Sequence, residues 1–281
     1  MENRFISGDQ ITSFTQGLVQ EERSAATIEK YKRDICSFAA WLAGAPVTKE
    51  RAAAWKSMLL ENGLAPTTIN AKLAAINHFF MQFGWVDCRI KPLRVQRKLF
   101  RDDRRELSKS EYDRLVATAI SLGRDRLALV LEAICATGIR VSEVRYLTVE
   151  AALQGRADIA LKGKIRTILL PGKLCKKLIK YARKYKIASG EIFLTRGGKS
   201  LSRRQIWAEM KSLCIRAGVE SSKVFPHNLR HLFARTFYRV CRDVAKLADV
   251  LGHSNIETTR IYLISTGAEH AKTMERLGLI V

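Results

Sequence analysis

The sequence predicts a mainly α protein: a small N-terminal helical domain, then a larger, mainly α domain that carries a small antiparallel β element. Three observations lead there. Apolar residues recur every three or four positions through most of the 281 residues. One stretch, Arg89 to Arg105, has poor helical and strand periodicity and contains Pro92. Two short strand-like runs flank Gly163 and Lys164, a glycine-bearing turn. Because domains usually span about 100 to 200 residues, the length suggests two. They are placed at residues 1–88 and 107–281, with 89–106 as a basic interdomain linker.

In the first domain, Ile28, Tyr31, Ile35, Phe38 and Leu42 step at helical spacing, as do Ile69, Leu73, Ile76 and Phe80. Ser24 leads the first run, Thr48 leads Glu50 to Leu60, and Pro66-Thr67-Thr68 opens the last, with Gly63 and Gly84 as stops. The spacing predicts four helices. The stretch Arg89 to Arg105 carries Arg94, Arg97, Lys98 and Arg101 among eight basic residues, against only Asp102 and Asp103. Such a run is either a solvated charge tract or a strap across a phosphate backbone.

The second domain opens at a Ser108-x-x-Glu111 capping box ahead of Tyr112 to Ala119. Arg124 to Thr137 is apolar on most faces and ends at Gly138, as a buried helix with a glycine stop would. Strands are predicted at Asp158 to Leu161 and Arg166 to Leu170, with a further one at Ile192 to Thr195. Helices are predicted at Lys173 to Ala188, Ser202 to Ala217, His227 to Arg239, Asp243 to Leu251 and Ile256 to Leu263.

Lysine and arginine number 49 against 27 acidic residues, a net charge of +22. A double-stranded nucleic acid is the polyanion best able to neutralise that surplus. Hydrophobic residues make up 47% of the chain and no low-complexity basic tail is present, which weighs against a ribosomal or general chromatin protein. Cys36, Cys88, Cys135, Cys175, Cys214 and Cys241 form no Cys-x-x-Cys pair, arguing against a zinc knuckle or disulfide framework and for a reducing cytoplasm. Met1-Glu2-Asn3-Arg4-Phe5 lacks the build of a signal peptide, and the apolar run from Leu127 to Ile139 contains Glu132 and is too short to span a bilayer. No membrane role is expected.

Four segments carry chemistry: Thr137-Gly138-Ile139-Arg140-Val141-Ser142-Glu143, Pro226-His227-Asn228-Leu229-Arg230, Leu251-Gly252-His253, and Tyr262. Two arginines, two histidines and a tyrosine suit phosphodiester cleavage. A guanidinium fork holds two non-bridging oxygens and keeps its charge at any working pH. His227 and Arg230, three apart on a predicted helix, project from one face. An imidazole can bond a phosphate oxygen or relay a proton, and His253 is expected to donate, because Ser254-x-x-Glu257 looks like a capping box starting the next helix. A phenol supplies a nucleophile that stays joined to phosphorus. It needs a base, or cations that stabilise its developing charge. Tyr31, Tyr112, Tyr146, Tyr181, Tyr185 and Tyr238 lack the spacing to a histidine; His78, His231 and His270 are read as structural. Taken singly, Arg140 reads rather as a salt bridge to Glu143 or another acid, Arg230 as a surface charge and Tyr262 as core or interface. The weight lies in the set.

In this order, with a tyrosine nine residues after His253, the motifs resemble the signature of the tyrosine recombinase (phage integrase) family. The resemblance covers the second two thirds of the chain by motif and the first third only by its pattern of helices. It implies that Arg140, His227, Arg230 and His253 handle the phosphate, Tyr262 attacks it, and Glu143 orients the site or buffers a hairpin lysine. That lysine, Lys162 or Lys164, would protonate the departing 5′ oxygen; the distance to Pro171 favours Lys162. The N-terminal domain would be the core-binding domain, packing across the opposite face of double-stranded DNA. The implied activity is site-specific strand exchange by a homotetramer on two DNA sites, through a 3′-phosphotyrosyl intermediate and a Holliday junction, with no metal or cofactor. A type IB topoisomerase and a catalytically silent DNA-binding protein of the same fold are the alternatives. The tail from Ser265 to Val281, with Met274, Leu277, Leu279 and Ile280, is a surface for a neighbouring protomer or for its own domain.

Overall fold

The computed structural model describes residues 4–95, 105–161, 164–263 and 275–277. The chain divides into two compact units, Met1–Arg97 and Lys98–Val281. The first is built on α1 (Gly8–Gln20), α2 (Ala25–Leu42), α3 (Lys49–Glu61) and α4 (Pro66–Gln82). Ser24 and Thr48 cap α2 and α3 by accepting from the Thr27 and Arg51 amides, and Pro66 occupies the first turn of α4. The stripes read from the sequence turn inward: Ile35, Phe38 and Leu42 of α2 and Ile69, Leu73, Ile76 and Phe80 of α4 are buried with Phe14 and Trp55. Phe38 meets Trp55 edge to face, 5.1 Å between centroids, the arrangement aromatic quadrupoles favour.

After a short 3-10 turn at Val86–Cys88, the chain runs antiparallel to α4, held by two side-chain amides. Asn77 accepts from the Ile90 amide at 2.8 Å and donates to its carbonyl at 2.8 Å. Asn70 does the same at Leu93, at 2.7 and 2.9 Å. Seven helical residues advance about 10.5 Å and three extended residues about 10 Å, so the two amides match the repeat of the strand they grip. The segment expected to serve as linker from Arg89 is therefore fastened to the first unit as far as Leu93, with Ile90 buried. Arg94 is exposed; Arg97, Lys98 and Arg101 lie outside the described residues.

In the second unit, α5 (Lys109–Ser121) opens on the Ser108 and Glu111 capping box, and α6 (Asp125–Thr137) is mostly buried, from Leu127 to Leu131 without a break. A 3-10 turn (Val141–Tyr146) and α7 (Val149–Gln154), neither expected from the sequence, lead into an antiparallel hairpin of β1 (Arg156–Leu161) and β2 (Lys164–Leu169). Lys164, expected in the turn, opens β2 opposite Leu161. Then follow α8 (Gly172–Lys184), α9 (Arg203–Lys211), α10 (Cys214–Ala217), α11 (Pro226–Cys241), α12 (Val244–Leu251) and α13 (Ile256–Arg260), the last running into a 3-10 turn at Ile261–Leu263. The hairpin is the one sheet among the described residues.

Two expected elements differ. Ile192 to Thr195 forms no strand, only an isolated bridge of Leu194 with Ser200, next to one of Glu191 with Thr148; neighbouring Ile192 and Phe193 are both buried, so the in-and-out alternation of a strand is absent. The helix expected over Ser202 to Ala217 breaks after Lys211, where the Ser212 hydroxyl bonds back to the Glu209 carbonyl at 2.7 Å and competes with the helical pattern. Lys162 and the tail beyond Leu263, apart from 275–277, lie outside the described residues. No described helix is long and apolar enough to cross a membrane.

Replacing Asn77 by alanine strips both bonds from the buried Ile90 backbone. We expect a loss of about 2 kcal/mol, read from urea unfolding by fluorescence of Trp41, Trp55 and Trp85. A loss near zero would show that the amide clamp does not hold this segment.

Candidate active site

Two helices of the second unit end at the same place. Gly138 closes α6 and Gly252 closes α12, both in the left-handed region (φ 65° and 64°). A Cβ at Gly138 would collide with the Phe233 ring, and one at Gly252 with the Arg166 side chain, so both positions need glycine for space as well as for backbone. The carbonyls left unpaired at these helix ends carry partial negative charge. Arg230 of α11, 2% exposed, donates to them: Nη1 to the Gly138 carbonyl, Nη2 to the Leu251 carbonyl at 2.8 Å. Nη2 also donates to His253 Nε2 at 2.8 Å.

Arg140 precedes the Val141–Tyr146 turn, and buried Glu143 holds it twice. The carboxylate accepts from the Arg140 amide at 2.7 Å and from Nη1 at 3.0 Å. Glu143 also accepts from Nη2 of Arg166 on β2, whose Nη1 donates to the Leu251 carbonyl. Burial draws the pKa values of Arg166 and Arg230 down, yet a guanidinium stays charged at any accessible pH.

A guanidinium can only donate, so His253 Nε2 is the acceptor in its bond with Arg230. The proton is therefore on Nδ1, which donates to the Thr259 hydroxyl at 2.8 Å. The donor role expected for His253 is thus spent inside the protein, on α13. The helix after it is capped by Asn255, which accepts from the Glu257 amide; the cap expected at Ser254 sits one residue too early. Burial, reinforced by Arg230, Arg140, Arg166 and His227, pulls the His253 pKa down to about 4. Burial and the same two arginines, Arg230 and Arg140, lower that of His227.

Tyr262, 5% exposed, lies in the 3-10 turn after α13. Its ring stacks on His253 at 5.8 Å between centroids, meets His231 edge to face at 4.5 Å, and lies 5.8 Å from His227. The phenol is near enough to Arg230 to support the guanidinium charge. These groups open on a cleft of about 950 Å³ lined by Arg140, His227, Arg230 and Tyr262, with Arg203, Arg204 and Trp207 of α9 on its wall.

Arg140, Glu143, His227, Arg230, His253 and Tyr262, named from the sequence, are thus gathered in one site. Arg94 belongs to the other unit, and Lys162 is not among the described residues. Sequence reading missed Arg166, Thr259 and the α9 residues; His231, read as structural, packs against His227 and Tyr262. For Arg166 a signal existed: it shares the phase of buried Ile168 and Leu170, which puts a cation on the inward face of a strand. The arrangement can grip an anion between two guanidiniums and hold a phenolic oxygen against it. Among the described residues, no group of three or more His, Cys, Asp or Glu side chains is placed to hold a metal ion.

Comparison with known proteins places this architecture. Residues 105–269 match the phage integrase family, and residues 11–83 match the phage integrase N-terminal SAM-like domain. The chain is 29% identical to tyrosine recombinase XerA of Thermococcus kodakarensis over 280 residues, covering 96% of this chain and 95% of that protein. The fold is similar to that of the Tn1549 transposon integrase in complex with transposon right end DNA (TM-score 0.71, 17% identity, 96% of this chain and 99% of that one). It is likewise similar to a lambda integrase tetramer bound to a Holliday junction (TM-score 0.71, 18% identity, 90% and 76%).

The depressed histidines make stability depend on pH. Between about pH 6.5 and 4 the unfolded chain binds a proton at His253 that the folded chain refuses, so its contribution is complete above the unfolded value and is lost as pH falls toward 4. His227 acts in the same direction. We expect the unfolding free energy to drop on acidification through this window, and His253→Gln to flatten the slope. Imidazole resonances should give His253 a midpoint near 4; a midpoint above 6 would contradict its burial against Arg230.

Proposed function

The chain belongs to the phage integrase family, and on that premise we propose how its cleft works. The protein is a site-specific tyrosine recombinase, an enzyme that cleaves and rejoins DNA strands. The observation that carries our residue assignment is the enclosure of the Tyr262 phenol by Arg230, His227 and His253 in a cleft also bordered by Arg140.

Arg140 and Arg230 hold the non-bridging oxygens of the scissile phosphate. The Tyr262 oxygen attacks phosphorus while the bond to the 5′ oxygen breaks, leaving a 3′-phosphotyrosyl ester and a free 5′-hydroxyl. His227, kept neutral by burial and its two arginine neighbours, takes the phenolic proton. The departing oxygen needs a proton in turn, and Lys162 of the hairpin is our assignment for its source. One ester replaces another, so the bond energy is conserved and resealing needs no ATP. A 5′-hydroxyl from the partner strand then attacks the phosphotyrosine and returns the phenol.

The phosphate bears about one negative charge in the ground state and about two as the phosphorane forms, so fixed cations are worth most at the transition state. Glu143 aims Arg140, and His253 helps hold Arg230 while stacking on the tyrosine. Because Tyr262 is packed into the site of its own chain, we assign cleavage in cis. A homotetramer exchanging strands of two duplexes through a Holliday junction is the assembly we propose; the tetramer of lambda integrase on such a junction supports it. Arg203, Arg204 and Trp207 are placed to meet DNA beside the scissile phosphate. Arg94, Arg97, Lys98 and Arg101 are assigned to the backbone.

The test is covalent capture. Wild-type protein incubated with fragments of its own genome, then denatured, should retain DNA through a 3′ phosphate, and sequencing the retained ends defines the site. A nicked duplex of that site should trap wild type and leave Tyr262→Phe with no detectable adduct. Adducts in both would reassign the nucleophile, while unselective relaxation of supercoiled plasmid with no recurrent end would point to topoisomerase activity.

A further inference from the structure

We propose that Arg166 is a positioning residue that fixes Arg140 and Arg230 relative to each other, by bridging the Glu143 carboxylate and the carbonyl at the end of α12. The inference rests on the reaction proposed above. Arg140 and Arg230 come from different elements and repel. Arg230 reaches the Arg140 segment only through backbone, at the Gly138 carbonyl, whereas Arg166 links the two side chains at one remove. Its Nη2 bonds the carboxylate that holds Arg140, and its Nη1 bonds the Leu251 carbonyl that also accepts from Arg230. The planar fork spans both acceptors with one rigid group, which a single ammonium cannot do.

Stability alone does not account for this side chain. Arg166 is largely buried on the inward face of β2, beside two like charges, and its Nε has no hydrogen-bond partner among the described residues. An apolar residue in phase with Ile168 and Leu170 would avoid the desolvation and the repulsion. Space is also reserved for it, because a Cβ at Gly252 would displace it. Yet it does not border the cleft, whose cationic wall is Arg140, Arg203, Arg204 and Arg230. It therefore acts through the residues it holds, and because it belongs to β2 it ties the hairpin to the same frame.

The experiment compares wild type, Arg166→Lys, Arg166→Gln and Tyr262→Phe on the nicked duplex, with a phosphodiester or a neutral methylphosphonate at the scissile position. Both Arg166 variants should bind the duplex within about threefold of wild type and form the adduct about 100-fold more slowly, the scale of a displacement near 1 Å. On the methylphosphonate, which asks less of paired cations, the deficit should shrink below about tenfold. A deficit equal on both substrates assigns Arg166 to folding alone and overturns the proposal, as does a phosphodiester rate within threefold of wild type. Arg166→Lys keeps the charge, so it carries the comparison if Arg166→Gln does not fold. Wild type that traps no DNA overturns the reaction itself, and the role of Arg166 with it.

Discussion

Three guanidinium groups gathered at one site repel one another, and the architecture of the second unit follows from how that repulsion is offset. Two unit charges roughly 6 Å apart in an effective dielectric of about 20 repel by about 3 kcal/mol. Glu143 answers part of this, bonded to both Arg140 and Arg166. The C-terminal ends of α6 and α12 answer more, turning their unpaired carbonyls on Arg230 and Arg166. Both helices must stop there, and both stop on a glycine whose missing Cβ leaves room for the neighbouring side chain. One carboxylate among three guanidiniums still leaves positive charge in excess, which the phosphate of the proposed reaction offsets.

The same network explains where Tyr262 sits. A five-residue helix such as α13 has no stability of its own, because forming the first turn fixes several residues for a single bond. Its position comes from tertiary contacts. Arg230 fixes the His253 tautomer, Nδ1 then donates to Thr259 on α13, and the ring three residues later stacks back on His253 and against His231. A neutral imidazole is required at the first step: protonated His253 could not accept from Arg230. The depressed pKa of His253 thus follows from burial, reinforced by the arginines, and keeps the imidazole in the form that seats the tyrosine.

Much of this was legible in the sequence. Helix periodicity is a repeating signal, so the inward faces of α2 and α4 could be named residue by residue. Arg140, His227, Arg230, His253 and Tyr262 could be named because a motif fixes their spacing whatever lies between. Single residues that act across the fold left weaker traces. Asn70 and Asn77 look like ordinary polar positions on a helix, and only the extended chain beside them gives their seven-residue spacing a purpose. The apolar run at Ile192 resembled a strand because buried irregular chain and buried strand share a composition. At the start of α13, adjacent serine and asparagine both suit a cap, and Asn255 takes it by reaching the Glu257 amide. Arg166 was missed for another reason: a lone arginine in a strand reads as surface unless its phase against Ile168 and Leu170 is counted.

The basic character of the chain divides into two parts with different physical effects. Among the described residues most lysines and arginines are exposed; they attract any polyanion, ground state and transition state alike, and lose strength as salt screens them. Such charge raises affinity without raising the rate of a bound complex. The arginines around Glu143 are few and fixed by hydrogen bonds before any ligand arrives, Arg166 and Arg230 shielded from solvent and Arg140 open to the cleft. Their reorganisation is already complete, so in the proposed reaction they act on charge that appears only as phosphorus becomes five-coordinate. That is why one bridge between two of them, at Arg166, bears on rate while the exposed basic surface bears on binding.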